Sequence, residues 1–291
     1  MVVPWVEKIK LYNEIEQAIH TSVPKSKPPH EPDYIALLVL DFARELGRIL
    51  TKFHRGYFRV GSCFIHQKPL AKFCDRTIAS KSPEIGDLLI VYKEIHPDEV
   101  LYNALLLQAK KTDDIYRTHV PESDEHQLIL YTQWPRFTYD RAGHLNGQPR
   151  NIIPKTITSG AQYLLIDEHE SYHLCCPAPS FWCAMPQEYL VASNSLAMQI
   201  VKFLEFQVGR PFVGGSRRDQ WSQMIWDLLR ISAASRFNRR RSGNINQPRS
   251  SDEIFDILSE NYHQQEMPNG REKGITVLCI QRKVGQEEVP K

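Results

Sequence analysis

An α/β chain built on a mixed central β-sheet flanked by helices, with a mostly helical C-terminal extension, is the fold class this sequence predicts. Three observations carry it. Apolar residues recur at helical spacing from Asp33 to Phe53. Two apolar runs of strand length follow, Pro83–Tyr92 and Ala104–Lys111. Helical and strand patterns then alternate with no repeat period, which argues for one α/β body rather than a barrel of repeated units.

The elements follow in order. Residues 1–33 read as an N-terminal arm, with a short helix over Trp5–Ile19 ended by Pro24, Pro28, Pro29 and Pro32. Ile35, Leu38, Phe42, Leu46, Ile49 and Leu50 then mark one face of a long helix. Gly56 breaks it, and Tyr57–Ile65 reads as a strand. The polar stretch Lys68–Ser82 leads into the two apolar runs. Pro97-Asp98 in the link between them predicts a turn and antiparallel neighbours. Ser123 is the expected N-cap of an amphipathic helix over Glu125–Trp134, closed by Pro135. Residues 140–160 read as loop, and Gln162–Asp167 with Tyr172–Cys176 as a strand pair. Helices are expected over Ser193–Phe206, Asp219–Ala234 and Ser251–Tyr262, and a last strand over Ile275–Gln281. The core is therefore expected over 34–192, and the extension over 193–291.

Composition removes several classes. A hydrophobic content of 42% with 24% charged residues is that of a globular chain, long enough at 291 residues for a large core. The first ten residues carry Glu7, Lys8 and Lys10 and lack the apolar stretch of a signal peptide. No apolar run approaches the roughly 20 residues of a membrane span, so a cytoplasmic protein without membrane attachment is expected. Six cysteines without paired CxxC spacing make neither a disulfide framework nor a zinc site, although Cys175, Cys176, Cys183 and His173 lie close together; small buried residues on strands are expected. No P-loop occurs, so no ATPase is expected.

The chemistry lies at the ends of the two apolar runs. Asp87 stands at the entrance of the first, and Gln108 and Lys110 at the exit of the second. On a strand, Gln108 and Lys110 project from one face. A carboxylate, an amide and an amine at a sheet rim need partners, and a divalent cation with bound water would satisfy all three. Mg²⁺ suits oxygen donors and keeps waters, so Asp87 and the Gln108 carbonyl are the candidate ligands, with Lys110 beside the attacking water. The plainer reading makes Asp87 a turn residue, and Gln108 and Lys110 a strand exit to solvent.

Asp87, about twenty residues, then Gln108-Ala109-Lys110, between apolar strands and after a helix, resembles the PD-(D/E)xK nuclease superfamily. The likeness is greatest to its RecB-like and Mrr-like branches, and it covers Tyr34–Asp167, about half the chain. It implies a restriction-endonuclease-like core and Mg²⁺-dependent DNA hydrolysis, with Mn²⁺ able to substitute. It also implies a supporting role for Gln127 and Tyr131, which match a Gln-Leu-x-x-Tyr pattern in Gln127-Leu128-Ile129-Leu130-Tyr131. An acid from the first helix often joins the metal in this family, and Glu45 is the match; Glu84 is a further candidate. Gln108 departs from the commoner acid and removes a negative charge from the site.

Arg236, Arg239, Arg240 and Arg241 surround Phe237, with Arg249 beyond and no acid before Asp252. This expected basic loop, 236–249, could track a nucleic-acid backbone or simply be solvated. Lys68, Lys72, Arg76 and Lys81 pose the same choice. His66 and His126 are the histidines expected near the site. The expectation is therefore a metal-dependent deoxyribonuclease whose partner is DNA. By analogy with the family it would serve as the effector of a prokaryotic anti-phage or restriction-type assembly, with a partner protein or as a homo-oligomer. One rival is a catalytically silent nuclease-like module that binds nucleic acid or a partner as a scaffold. Another is an unrelated α/β protein whose C-terminal part docks a partner through Trp221, Trp226 and Phe237.

Overall fold

The computed structural model describes residues 5–23, 31–53, 57–65, 69–168, 179–215, 219–240, 250–259 and 275–285. Its centre is a mixed sheet of eight strands in the order β1-β13-β3-β4-β8-β9-β11, with β12 paired to β4. These are β1 (Tyr57–Ile65), β3 (Leu88–Ile95), β4 (Val100–Thr112), β8 (Ala161–Asp167), β9 (Ser180–Ala184), β11 (Ala192–Ser195), β12 (Arg210–Pro211) and β13 (Ile275–Lys283). Strands β2 (Leu70–Phe73), β6 (Phe137–Asp140) and β7 (Pro149–Arg150) form a small antiparallel sheet, and β5 (Thr118–His119) pairs with β10 (Tyr189–Leu190). Six helices complete the described part: α1 (Trp5–Ser22), α2 (Glu31–Phe53), α3 (Glu125–Gln133), α4 (Leu196–Leu204), α5 (Gln220–Arg240) and α6 (Ser251–Ser259).

The central strands are apolar on both faces because both faces are covered. Along β3, Leu88, Ile90 and Tyr92 enter one core, and Leu89 and Val91 enter the other. The first core is closed by α1, α2 and α4. Its stripe on α2 is Tyr34, Ile35, Leu38, Val39, Phe42, Leu46, Ile49 and Leu50, and α1 adds Leu11, Ile15, Ala18 and Ile19. The second core is closed by α3, α5, α6 and the small sheet, with Trp134, Trp221 and Trp226 fully buried in it. Each such apolar side chain removed from water stabilises the fold by about 1.5–3 kcal/mol. Burial of Trp221 and Trp226 leaves neither to anchor a partner.

Several expectations hold at residue level. The turn at Pro97-Asp98 joins antiparallel β3 and β4, closed by His96 N donating to Glu99 O at 2.9 Å. Others need correction. Ser123 does not cap α3: residues Glu122–Asp124 form a 3-10 turn, and Asp124 occupies the cap without a side-chain cap bond. The cap of α4 is Ser195, whose hydroxyl accepts from Met198 N at 3.3 Å. The stretches 68–82 and 140–160 hold β2 and β7 in addition to loop. The strand expected over Tyr172–Cys176 lies outside the described residues. Of the cysteines, Cys63, Cys183 and Cys279 are buried on strands and Cys74 is exposed, all unbridged.

The final strand carries the largest topological consequence. β13 runs antiparallel to β1 and parallel to β3, so the last part of the chain lies inside the sheet. The small sheet is tied to α5 by the buried pair Arg150–Asp227, with Tyr139 donating to the same carboxylate oxygen at 3.1 Å. At Gly61 on β1 the α6 backbone comes so close that an added Cβ would stand 2.3 Å from Leu258 O. Gly61→Ala should therefore lower stability by about 1–3 kcal/mol through overpacking. Urea denaturation measures this, and an unchanged midpoint would contradict the close approach.

Candidate active site

Asp87 sits just before β3 and is 2% exposed. Its backbone is held from both sides: Asp87 N donates to Leu107 O at 2.9 Å, and Thr276 N donates to Asp87 O at 2.8 Å. Its Oδ2 accepts from Ala109 N at 2.8 Å and from Gln108 Nε2. The antiparallel register that pairs Leu88 with Leu107 is what brings Gln108 to Asp87. Because side chains alternate along β4, Gln108 and Lys110 share the face of Leu106, which belongs to the core covered by α3 and α5. Residues separated by twenty positions in sequence are thus adjacent.

Lys110 is paired with Asp124 rather than with Asp87. That pairing explains the uncapped start of α3, since the Asp124 carboxylate reaches across to the strand instead of back to its own helix. Asp124 was not among the residues expected here; an acid just ahead of a helix reads in sequence as a cap or first-turn charge. Tyr163 on β8, which stands opposite Gln108 in the β4–β8 register, was not expected either. Its place depends on a strand pairing that no local pattern reveals.

Gln127 and Tyr131 occupy one face of α3, four residues apart. Tyr131 OH donates to Ile85 O at 2.8 Å and so fixes the turn that carries Glu84 and Asp87. Gly86 makes room for it, since a Cβ there would lie 3.0 Å from that hydroxyl and 2.8 Å from Leu106. Burial, then Asp87, Tyr163 and Glu84, push the Tyr131 hydroxyl well above its ordinary range. Burial, then Asp124 and Asp87, push Tyr163 up likewise. Both rings therefore remain neutral. Glu84 bridges to Leu70 through the backbone, and its charge is felt at both Tyr131 and His126.

Three buried polar atoms here have no partner among the described residues: Gln108 Oε1, Gln127 Oε1 and the Tyr163 hydroxyl. Buried groups of this kind are rare in folded proteins and call for an occupant such as water or an ion. The oxygen donors at the motif are Asp87, the Gln108 amide and Asp124 on Lys110, with Glu84 on the adjoining turn. That set suits a hard cation that keeps part of its water. Among the described residues no group of three or more His, Cys, Asp or Glu side chains is gathered as a metal site.

The other expected residues lie elsewhere. Glu45 is on α2, which covers the opposite face of the sheet, and it pairs with Arg44 and Arg48. Glu45 is therefore not brought to Asp87. Lys72, Arg76 and Lys81 are exposed, and Lys81 contributes to the field at His126. Lys68 and His66 lie outside the described residues. Helix α5 extends through Arg236, Arg239 and Arg240, so this part of the basic stretch is helical rather than loop. The side chains of those three, together with Phe237, Arg241 and Arg249, lie outside the described residues.

His126 is partly buried, and burial lowers its pKa below the ordinary value of about 6.5. Asp124 and Glu84 raise it, whereas Lys81 and Lys110 lower it. Because the folded value is the lower one, the unfolded chain binds the proton first. The stability that neutral His126 contributes is thus present above the unfolded pKa and lost as pH falls from there through the folded pKa. A histidine NMR titration should place His126 below the ordinary value. In Lys110→Met the midpoint should rise, since a cation leaves and Asp124 loses its partner; a fall would contradict the arrangement. No family model, curated protein or solved structure matches the chain.

Proposed function

We propose that this chain is a Mg²⁺-dependent deoxyribonuclease that hydrolyses phosphodiester bonds by direct attack of water. The observation that carries the reading is the buried Asp87–Gln108 contact with Lys110 on the same face, next to amide and hydroxyl oxygens that have no partner among the described residues. The resemblance to the PD-(D/E)xK pattern points the same way. Asp87, Glu84 and Gln108 Oε1 are the residues that would hold the cation. When bound, the ion supplies charge neutralisation at the phosphate and a water acidic enough to attack.

The chain's own groups have separable tasks. Asp87 is anchored through its backbone to β4 and β13, so its carboxylate is positioned before any ligand arrives. Gln108 donates to Asp87 through Nε2, and its oxygen has no partner among the described residues. With the amide turned over, Oε1 would add a neutral oxygen donor beside the carboxylate, of the kind a hard cation takes. Lys110 brings an ammonium that can donate to a phosphate oxygen or to the attacking water. Asp124 steadies that ammonium at the start of α3. Tyr131 keeps the Glu84–Asp87 turn in place through Ile85.

A second reading is favoured by one observation. Asp87 is already bonded to the Gln108 amide, and Lys110 is already paired with Asp124, as in a module that binds nucleic acid without cleaving it.

Nicking of supercoiled plasmid separates the two. The purified chain should nick in Mg²⁺ or Mn²⁺ and stop in EDTA. Asp87→Asn and Lys110→Met should each slow nicking by about 10²-fold or more, the scale of losing one charge-stabilising group. Thermal melts of the same variants check that Asp87→Asn, which keeps the shape of the side chain, preserves the strand junction. An undiminished rate in Lys110→Met would refute its role. DNA binding with no cleavage in either metal would establish the silent module.

A further inference from the structure

A cleft of about 880 Å³ lies between the second half of α2 and the start of β1, lined by Arg44, Arg48, Lys52, Tyr57, Arg59 and Ser259 among others. It is remote from Asp87 in two respects. Helix α2 covers the opposite face of the sheet, and Tyr57 is level, through Lys283, with Ile95 at the far end of β3. Ile95 is eight positions along the strand from Asp87, about 26 Å at some 3.3 Å per residue.

Four of the lining side chains are cations, and none of the described lining residues is an acid. Arg44, Arg48 and Lys52 follow one another at four-residue intervals, which stacks them along one side of the helix about 6 Å apart. Their acids sit outside the cleft lining. Glu45 lies 3.4 Å from Arg44 and 3.2 Å from Arg48, Glu14 pairs with Lys52, and Asp256 lies 3.3 Å from Arg59. Arg48 is 75% exposed and Lys52 63%. Exposed pairs of this kind are worth little, so a polyanion can take over the cations at small cost. Ser259 adds a hydroxyl that is buried yet has no partner among the described residues.

Tyr57 is 40% exposed at the mouth, with the Arg59 guanidinium 5.3 Å over its ring. A row of cations beside an exposed aromatic ring is the pairing that recognises an unstacked strand: phosphates follow the charges, and a base stacks on the ring. A duplex keeps its bases paired and stacked inside and could not use Tyr57. A mononucleotide would use only part of the row.

We infer that this cleft binds single-stranded nucleic acid, as a site separate from Asp87. The inference does not require a live catalytic centre, because it concerns binding alone.

Fluorescence anisotropy with a fluorescein-labelled twelve-residue oligothymidylate, in EDTA and at several salt concentrations, tests it. The full chain should bind, and Asp87→Asn should bind equally well. The triple variant Arg44→Ala, Arg48→Ala, Lys52→Ala should bind at least tenfold more weakly. Its log–log salt slope should be shallower by about 2, from three charges at about 0.7 each. Tyr57→Leu should lose about fivefold or more while keeping the slope. The charge-conserving pair Arg44→Lys, Arg48→Lys should stay near wild type, which separates loss of charge from misfolding. Binding by the triple variant equal to wild type would overturn the inference. So would failure of the wild type to bind, equal affinity for a twelve-base-pair duplex, or displacement of the oligonucleotide by equimolar ATP.

Discussion

Asp87 joins three strands. Through its backbone it closes β3 onto β4 on one side and onto β13 on the other, and through its carboxylate it receives the amide of Ala109. The register of the central sheet therefore converges on one buried acid. A carboxylate so placed costs free energy unless donors surround it, and here the donors come from the neighbouring strand itself. The same contacts that stabilise the sheet aim the group at the place where Gln108 and Lys110 emerge. Architecture and chemistry are hard to vary separately at this position.

The sheet also divides the molecule into two polar territories. On one face, at the entry of β3, lie the buried Asp87, two half-buried acids, neutral tyrosines and amides with spare acceptors. On the other face, at the far end, lie cations open to solvent beside an exposed ring. The first territory derives its character from burial, where each charge is felt strongly, as the perturbed tyrosines and His126 show. The second depends on solvent-screened charge and responds to salt. Glu45 belongs to the second territory, which is why this acid on α2 does not reach Asp87.

Strong periodicity was legible in the sequence. The stripe on α2, the apolar runs of β3 and β4 and the turn at Pro97-Asp98 could all be read locally, and with them the adjacency of Asp87, Gln108 and Lys110. What escaped was set by long-range pairing. The four-residue alternations Leu70–Phe73 and Phe137–Asp140 are too short to stand out from polar surroundings, yet they pair with each other across more than sixty residues. Tyr163 joins the site only through the β4–β8 register. Ser123 looked like a cap, but the neighbouring acid took the position and turned its side chain to Lys110. The C-terminal stretch carried a clear strand signal without indicating that it would enter the middle of the sheet.

That placement of β13 has a consequence for how the protein is made. Strand β1 is made some two hundred residues before its partner β13, with Tyr57 opposite Lys283. Until β13 is synthesised, β1 and β3 each present an apolar, unpaired edge, the kind of surface that invites association with other chains. Nascent chains would therefore depend on chaperones or on rapid late closure, and contacts of such high sequence separation slow folding. A stop codon ahead of Ile275 would remove not a tail but the seam of the sheet.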